Sequence, residues 1–170
     1  MSTPATHPWY VGAWRRRSIV VPGGEPTEPC EAWWIQSGDV FVDVRVTLPG
    51  CGDNGLPYSS TRAFAGWFEI AGGESRWHVE IDSDGSVPRI DRAAAEGLYI
   101  SADDSALLIE DAPGRFREKW VQHADTIDVE VVCHSHLIAV RVGDVVGMVH
   151  WFGDTVFGRM WDGDRSISTT

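Results

Sequence analysis

The sequence predicts an all-β fold: a closed antiparallel up-and-down barrel of about eight to ten strands, with at most one short helix. Three observations carry this. Short segments of alternating apolar and polar residues recur along the 170 residues, each ended by Gly, Pro, Asp or Ser. No strand is followed by a long helical stretch, which excludes dinucleotide-binding, phosphate-loop and (β/α)8 architectures. Successive segments are joined by hairpin-like turns, and closing such a meander removes its exposed edges.

The segments run in order as follows. YVGAWRRRSIVV comes first and stops at PGGEPTEP. EAWWIQ and DVFVDVRV are separated by Ser37-Gly38, a hairpin signal. LPGCGDNGLPYSS is the longest loop. TRAFAGWFEI, the turn AGGE and SRWHVEID make a second hairpin. SDGSVPRIDRAAAEG reads as loop, and DRAAAE at 91–96 is the one stretch with helical character. GLYIS, SALLIE, RFREKWVQ, TIDVEVV and LIAVRV follow. A Gly143-Asp144 turn leads to VVGMVHWF, and TVFGRMW closes the series. One domain is expected over 1–170, with tails at 1–8 and 164–170.

Net charge is −11. An acidic surface argues against nucleic acid as a partner and against an anionic membrane surface. The first residues, MSTPATHPWY, hold neither a basic nor an apolar leader region, and no apolar run reaches membrane-spanning length. Cys30, Cys51 and Cys133 are odd in number and widely spaced. They read as reduced thiols, which points to a cytoplasmic location and away from a disulfide frame or a zinc site.

Gly12-Ala13-Trp14, in the first strand of a small all-β chain, resembles the Gly-X-Trp motif of lipocalins and their calycin relatives. The resemblance implies a barrel whose tryptophan plugs the closed end beneath an arginine from a late strand, here Arg159 of VFGRMWD. Without the secretion signal or disulfides of lipocalins, the chain is closer in style to the fatty-acid-binding-like and nitrobindin-like barrels. The resemblance also implies a small ligand in the lumen.

Residues two apart in a strand share a face. One face of DVFVDVRV is Val40, Val42, Val44 and Val46; the other is Phe41, Asp43 and Arg45. In RAFAGWF, Arg62, Phe64, Gly66 and Phe68 lie together. In RWHVEID the faces are Trp77, Val79, Ile81 and Arg76, His78, Glu80, Asp82. In RFREKWVQH, Phe116, Glu118, Trp120 and Gln122 share a face. A small barrel has one inside, so either the apolar or the mixed faces fill it. The mixed faces fit a cavity with aromatic walls and fixed polar groups. Trp33 and Trp34 adjoin and must point to opposite sides. With nine tryptophans in the chain, a small apolar or aromatic ligand is favoured. The candidate ligand-binding residues are Arg45, Arg62, Trp34, Phe41, Phe64 and Trp120.

Three residues are candidates for chemistry: His78, Glu118 and Asp43. His78 shares its face with Glu80 and Asp82, and a neighbouring carboxylate makes a better base of an imidazole. With Asp43, Arg45 and Arg62, these side chains are expected to converge, the arginines pairing with Asp43, Glu118 or the ligand. His134-Ser135-His136 falls where a turn is expected, and a two-residue Gly143-Asp144 turn sets His150 opposite Leu137, so no metal site is expected. No nucleophile motif, phosphate loop or dinucleotide fingerprint occurs. The chemistry expected is therefore cofactor-free acid/base work: isomerisation, cyclisation, dehydration or decarboxylation. The alternative is a non-catalytic carrier or sensor, including a haem binder held by His150. A homodimer is left open.

Overall fold

The computed structural model describes residues 8–52, 61–84, 93–104, 107–124 and 128–169. The described residues are all-β: thirteen strands in two antiparallel sheets, with no helix among them. The first sheet contains β1 (Gly12–Val20), β2 (Cys30–Gln36), β3 (Val40–Thr47), β4 (Arg62–Ala71), β5 (Glu74–Asp82), β6 (Ala93–Asp104), β7 (Leu107–Ala112) and β8 (Phe116–Ala124). Each strand pairs with the next. The sheet curls far enough that β1, paired with β2 along one edge, pairs with β8 along the other. The second sheet holds β9 (Val129–His134), β10 (Leu137–Val142), β11 (Val145–Phe152), β12 (Thr155–Asp162) and β13 (Arg165–Ser168), in meander order.

This corrects the expectation of one barrel running the length of the chain. The last five strands do not continue the curl; they form a separate sheet packed over β2, β3 and β4. Strand β13 occupies residues assigned to a tail. Its Arg165 forms an ion pair with Glu31 on β2, and His123 of β8 meets Asp162 of β12 at 3.0 Å, so polar contacts join the sheets at their margins.

Because a second sheet covers the first, both faces of β2 and β3 are buried. Val40, Val42 and Val44 join Trp33, Ile35, Ala63 and Ala65 in a core shared with Ile138, Val140, Val142, Val149 and Met160. Phe41, Asp43 and Arg45 point the other way, into the curl. The choice between faces that a lone barrel would impose does not arise. Trp33 and Trp34 do point to opposite sides, Trp33 between the sheets and Trp34 inside the curl.

Two glycines allow the close approaches. A Cβ on Gly158 would sit 2.2 Å from the Ala63 Cβ across the inter-sheet core. A Cβ on Gly66 would sit 2.0 Å from the His78 carbonyl oxygen. Gly66 lies at a bulge: Ala65 pairs with Ile81 and Gly66 with Val79, leaving Glu80 as the extra residue. The bulge turns Ile81 into the inter-sheet core while Trp77 faces the interior, so the expected single face of Trp77, Val79 and Ile81 is split. Gly66→Ala is expected to destabilise the fold by at least about 1–3 kcal/mol, since the obstacle is backbone and cannot rotate away. Urea denaturation measures it, and a wild-type midpoint would remove the steric argument.

The alanine run at 93–95 lies in β6 and not in a helix: Ala93, Ala94 and Ala95 pair with Val79, His78 and Trp77. Sheet pairing overrides a weak intrinsic helix preference. Residues 91–92 of the expected helix, and 53–60 of the longest loop, lie outside the described residues.

Candidate functional site

The three arginines after Trp14 divide by strand alternation. Arg15 and Arg17 are exposed, and Arg16, 3% exposed, points into the curl. Its guanidinium is fully engaged. Nε and Nη2 donate to the two carboxylate oxygens of Glu28, both at 2.8 Å. Nη1 donates to Glu118 Oε1 at 2.5 Å, and Nη2 also reaches the Cys30 sulfur at 2.7 Å. Arg45 makes a bidentate pair with Asp43, at 2.7 and 2.8 Å, and its Nη1 lies 3.3 Å from the same Glu118 Oε1. Asp43, Arg45 and Glu118 are all at least 95% buried. Burying charge is tolerable only with such pairing.

Glu110 completes the cluster. It lies directly opposite Glu118 on the β7–β8 ladder and is 5% exposed. Burial pushes its carboxyl well above the ordinary value, and the charge of Glu118 pushes the same way. Asp43 is also raised by burial, against the pull of Arg45. Burial pushes the Cys30 thiol up to about 12. Neutral Cys30 accepts from Arg16 and donates to Glu28, 3.4 Å away.

Aromatic rings surround this cluster. Trp34 is fully buried, with ring centroids of Trp77 at 4.9 Å, Phe68 at 5.6 Å, Trp120 at 5.9 Å and Trp14 at 6.3 Å. Phe41 packs edge-on against Trp77 and Phe64. The Arg45 guanidinium sits 5.4 Å from the Phe64 ring and 5.6 Å from Trp120. The buried indole N–H groups of Trp77 and Trp120 have no acceptor among the described residues. A cleft of about 320 Å³ runs along the β1–β8 seam, lined by Arg15, Arg16, Arg17, Glu28, Val121, Gln122 and His123. Arg16 and Glu28 thus belong to both the cleft and the buried cluster.

Of the residues expected to converge, Asp43, Arg45 and Glu118 do, among Trp34, Phe41, Phe64 and Trp120. Arg62 stands at the margin: it caps the Phe64 ring at 4.3 Å and pairs with Asp82, not with Asp43 or Glu118. His78 does not join them. It lies across from the exposed Trp67, its Nε2 3.2 Å from Glu69 and its side chain 30% exposed. Strand alternation puts it outside, because Trp77 takes the inner position.

Trp14 does not pair with Arg159. Trp14 stacks on Trp34 and donates to the Tyr10 carbonyl at 2.9 Å, while Arg159, on the second sheet, lies over Trp161. The separate second sheet carries the late arginine away from the curl. His150 pairs with Leu137 as expected, but its ring lies 5.7 Å from His136, because His136 sits in the turn, where alternation stops. No group of three or more metal-capable side chains occurs among the described residues. Arg16, Glu28, Cys30, Glu110 and Trp77 were not singled out. For Arg16 the available signal was alternation from Trp14; for Glu110 it was ALLIE, whose alternation puts Leu108 and Glu110 on one face.

Comparison with protein-family models, curated proteins and solved structures finds no match for this chain.

The raised acids set a pH dependence. A carboxyl with a folded value above its unfolded one binds more protons in the native state, so stability falls as pH rises between the two. For Glu110 that fall begins at the ordinary value of 4.5, and Asp43 adds to it in the same sense. Cys30 adds a second fall from 9 to about 12. Denaturation followed across pH should show stability declining above the ordinary carboxylate range, and Glu110→Gln should flatten that limb. A rise across the same range would contradict the buried-acid assignment.

Proposed function

We propose that the curled sheet is a calycin-type barrel whose interior binds a small, mainly apolar aromatic molecule bearing an acceptor oxygen, and performs cofactor-free acid/base chemistry on it. The observation that carries this reading is the pair of buried, unaccepted indole N–H groups of Trp77 and Trp120. A buried donor without an acceptor costs about 1–3 kcal/mol, which an oxygen of the ligand would recover. Both indoles contact Trp34, whose ring and those around it supply planar walls.

The charged cluster supports the chemical half. Both guanidiniums are already held by carboxylates, so this interior favours an uncharged ligand over an anion. Asp43, Glu110 and Glu118 are carboxyls in different environments at one place, the arrangement that separates acid from base. Isomerisation, cyclisation, dehydration and decarboxylation are the reactions within its means. The seam cleft lies in the size range of small-molecule sites and leads toward the cluster. The acidic net charge and free cysteines support a cytoplasmic protein working without nucleic acid or membrane partners.

Tryptophan fluorescence, titrated with a panel of uncharged aromatic ketones and their carboxylate counterparts, tests the reading. Ketones should quench saturably, and Trp77→Phe and Trp120→Phe should each weaken binding about five- to tenfold. No saturable quenching by any aromatic compound would defeat the reading. Binding without conversion would favour the carrier, and a Soret band in the purified protein would favour the haem binder.

A further inference from the structure

We propose that Glu110 is the proton donor of this interior: a carboxylic acid facing the Glu118 carboxylate and able to pass its proton to an acceptor oxygen of the bound molecule. The transfer step rests on the binding reading above; the protonated state belongs to the chain alone.

The geometry requires a proton. Glu110 and Glu118 are direct partners on adjacent strands, both inward, with 5% and 1% of their surfaces exposed. Two carboxylates buried face to face repel when both are charged, and burial penalises each charge further, so one keeps its proton. The anion is Glu118, because its Oε1 receives Arg16 at 2.5 Å and Arg45 at 3.3 Å. The acid is therefore Glu110.

The surroundings agree from every side. Strand β1 brings Arg16, committed to Glu28 and Glu118. Strand β2 brings Cys30, a neutral thiol on Arg16. Strand β3 brings Asp43 and Arg45, bound to each other. Strand β6 sets the uncharged Ile100 opposite Glu110. Burial, Glu118 and Asp43 all disfavour charge on Glu110; Arg45 favours it. That balance suits a donor. On transfer the O–H bond of Glu110 breaks, an O–H bond forms on the ligand oxygen, and the new Glu110 carboxylate is stabilised by Arg45. No further reactant is needed. A carboxylic acid kept neutral by an apolar site is an established way to donate to a developing oxyanion.

Infrared difference spectroscopy of the whole chain tests this. At neutral pH the wild type should show the carbonyl stretch of an un-ionised carboxylic acid, shifted in D2O. Glu110→Gln should lose it, and the exposed Glu69→Gln should retain it. Glu110→Gln should stay folded, because the amide matches the acid in shape and is uncharged. If it does not fold, the wild-type band serves alone, persisting at neutral pH and bleaching only on alkalinisation. Absence of the band at neutral pH, or its survival in Glu110→Gln, overturns the proposal. Fluorenone, an uncharged planar ketone, probes the transfer step: its own carbonyl stretch should move down on binding. A missing acid band with fluorenone bound overturns the proposal alone. An intact acid band with no fluorenone binding overturns the binding reading and the transfer step with it.

Discussion

Glu118→Ala is expected to destabilise the protein by about 3–5 kcal/mol, because it strands two buried cations at once. Glu118 Oε1 is the shared acceptor of Arg16 and Arg45. Arg45 keeps Asp43, and Arg16 keeps Glu28, but each loses a short ionic contact in surroundings where water cannot replace it. Arg141→Ala is the control. Arg141 also binds two carboxylates, Asp128 and Glu130, yet on the exposed rim of the second sheet, where solvent screens the pairs. Urea denaturation of the two variants should separate them clearly. Equal, small effects would mean that the cluster is solvated, and the site with it.

Trp34→Ala is expected to cost about 3–5 kcal/mol as well, through a different mechanism. Trp34 is fully buried and in ring contact with Trp14, Phe68, Trp77 and Trp120, so its removal opens a large cavity at the centre of the aromatic cluster. Its Nε1 donates to Gln36 Oε1 at 2.9 Å, and the variant leaves that buried amide short of a partner. Thermal and urea unfolding give the cost. A near-wild-type midpoint would show that the rings around Trp34 collapse without penalty. Trp33→Ala is the companion measurement: it opens the inter-sheet core instead, so it should lower stability without touching ligand binding.

The strands were legible because alternation is a local property. DVFVDVRV and LIAVRV each carry their period in their own residues and form the strands that the period predicts, while SRWHVEID forms its strand with the faces split at the Glu80 bulge. The inward trio of Asp43, Arg45 and Glu118 was legible for the same reason: charge and aromatic residues alternate on one face. Ser37-Gly38 and Gly143-Asp144 marked their turns through backbone chemistry alone. The alanine run of β6 misled because its helix preference is also local, and pairing with β5 outweighs it.

What the sequence by itself determined is the all-β class, the order of most strands, and which side chains travel together on a face. What only the tertiary structure decided is which faces meet. Arg159 and Trp14 lie far apart in the chain, and nothing local says that the last five strands leave the first sheet to cover β2, β3 and β4. Glu110 and Glu118 likewise come to face each other only through the β7–β8 register, and Arg16 joins them only because β1 lies beside β8. Period follows from neighbouring residues and the geometry of one strand. Partnership follows from burial summed over the whole chain, which decides how two apolar faces are covered at once.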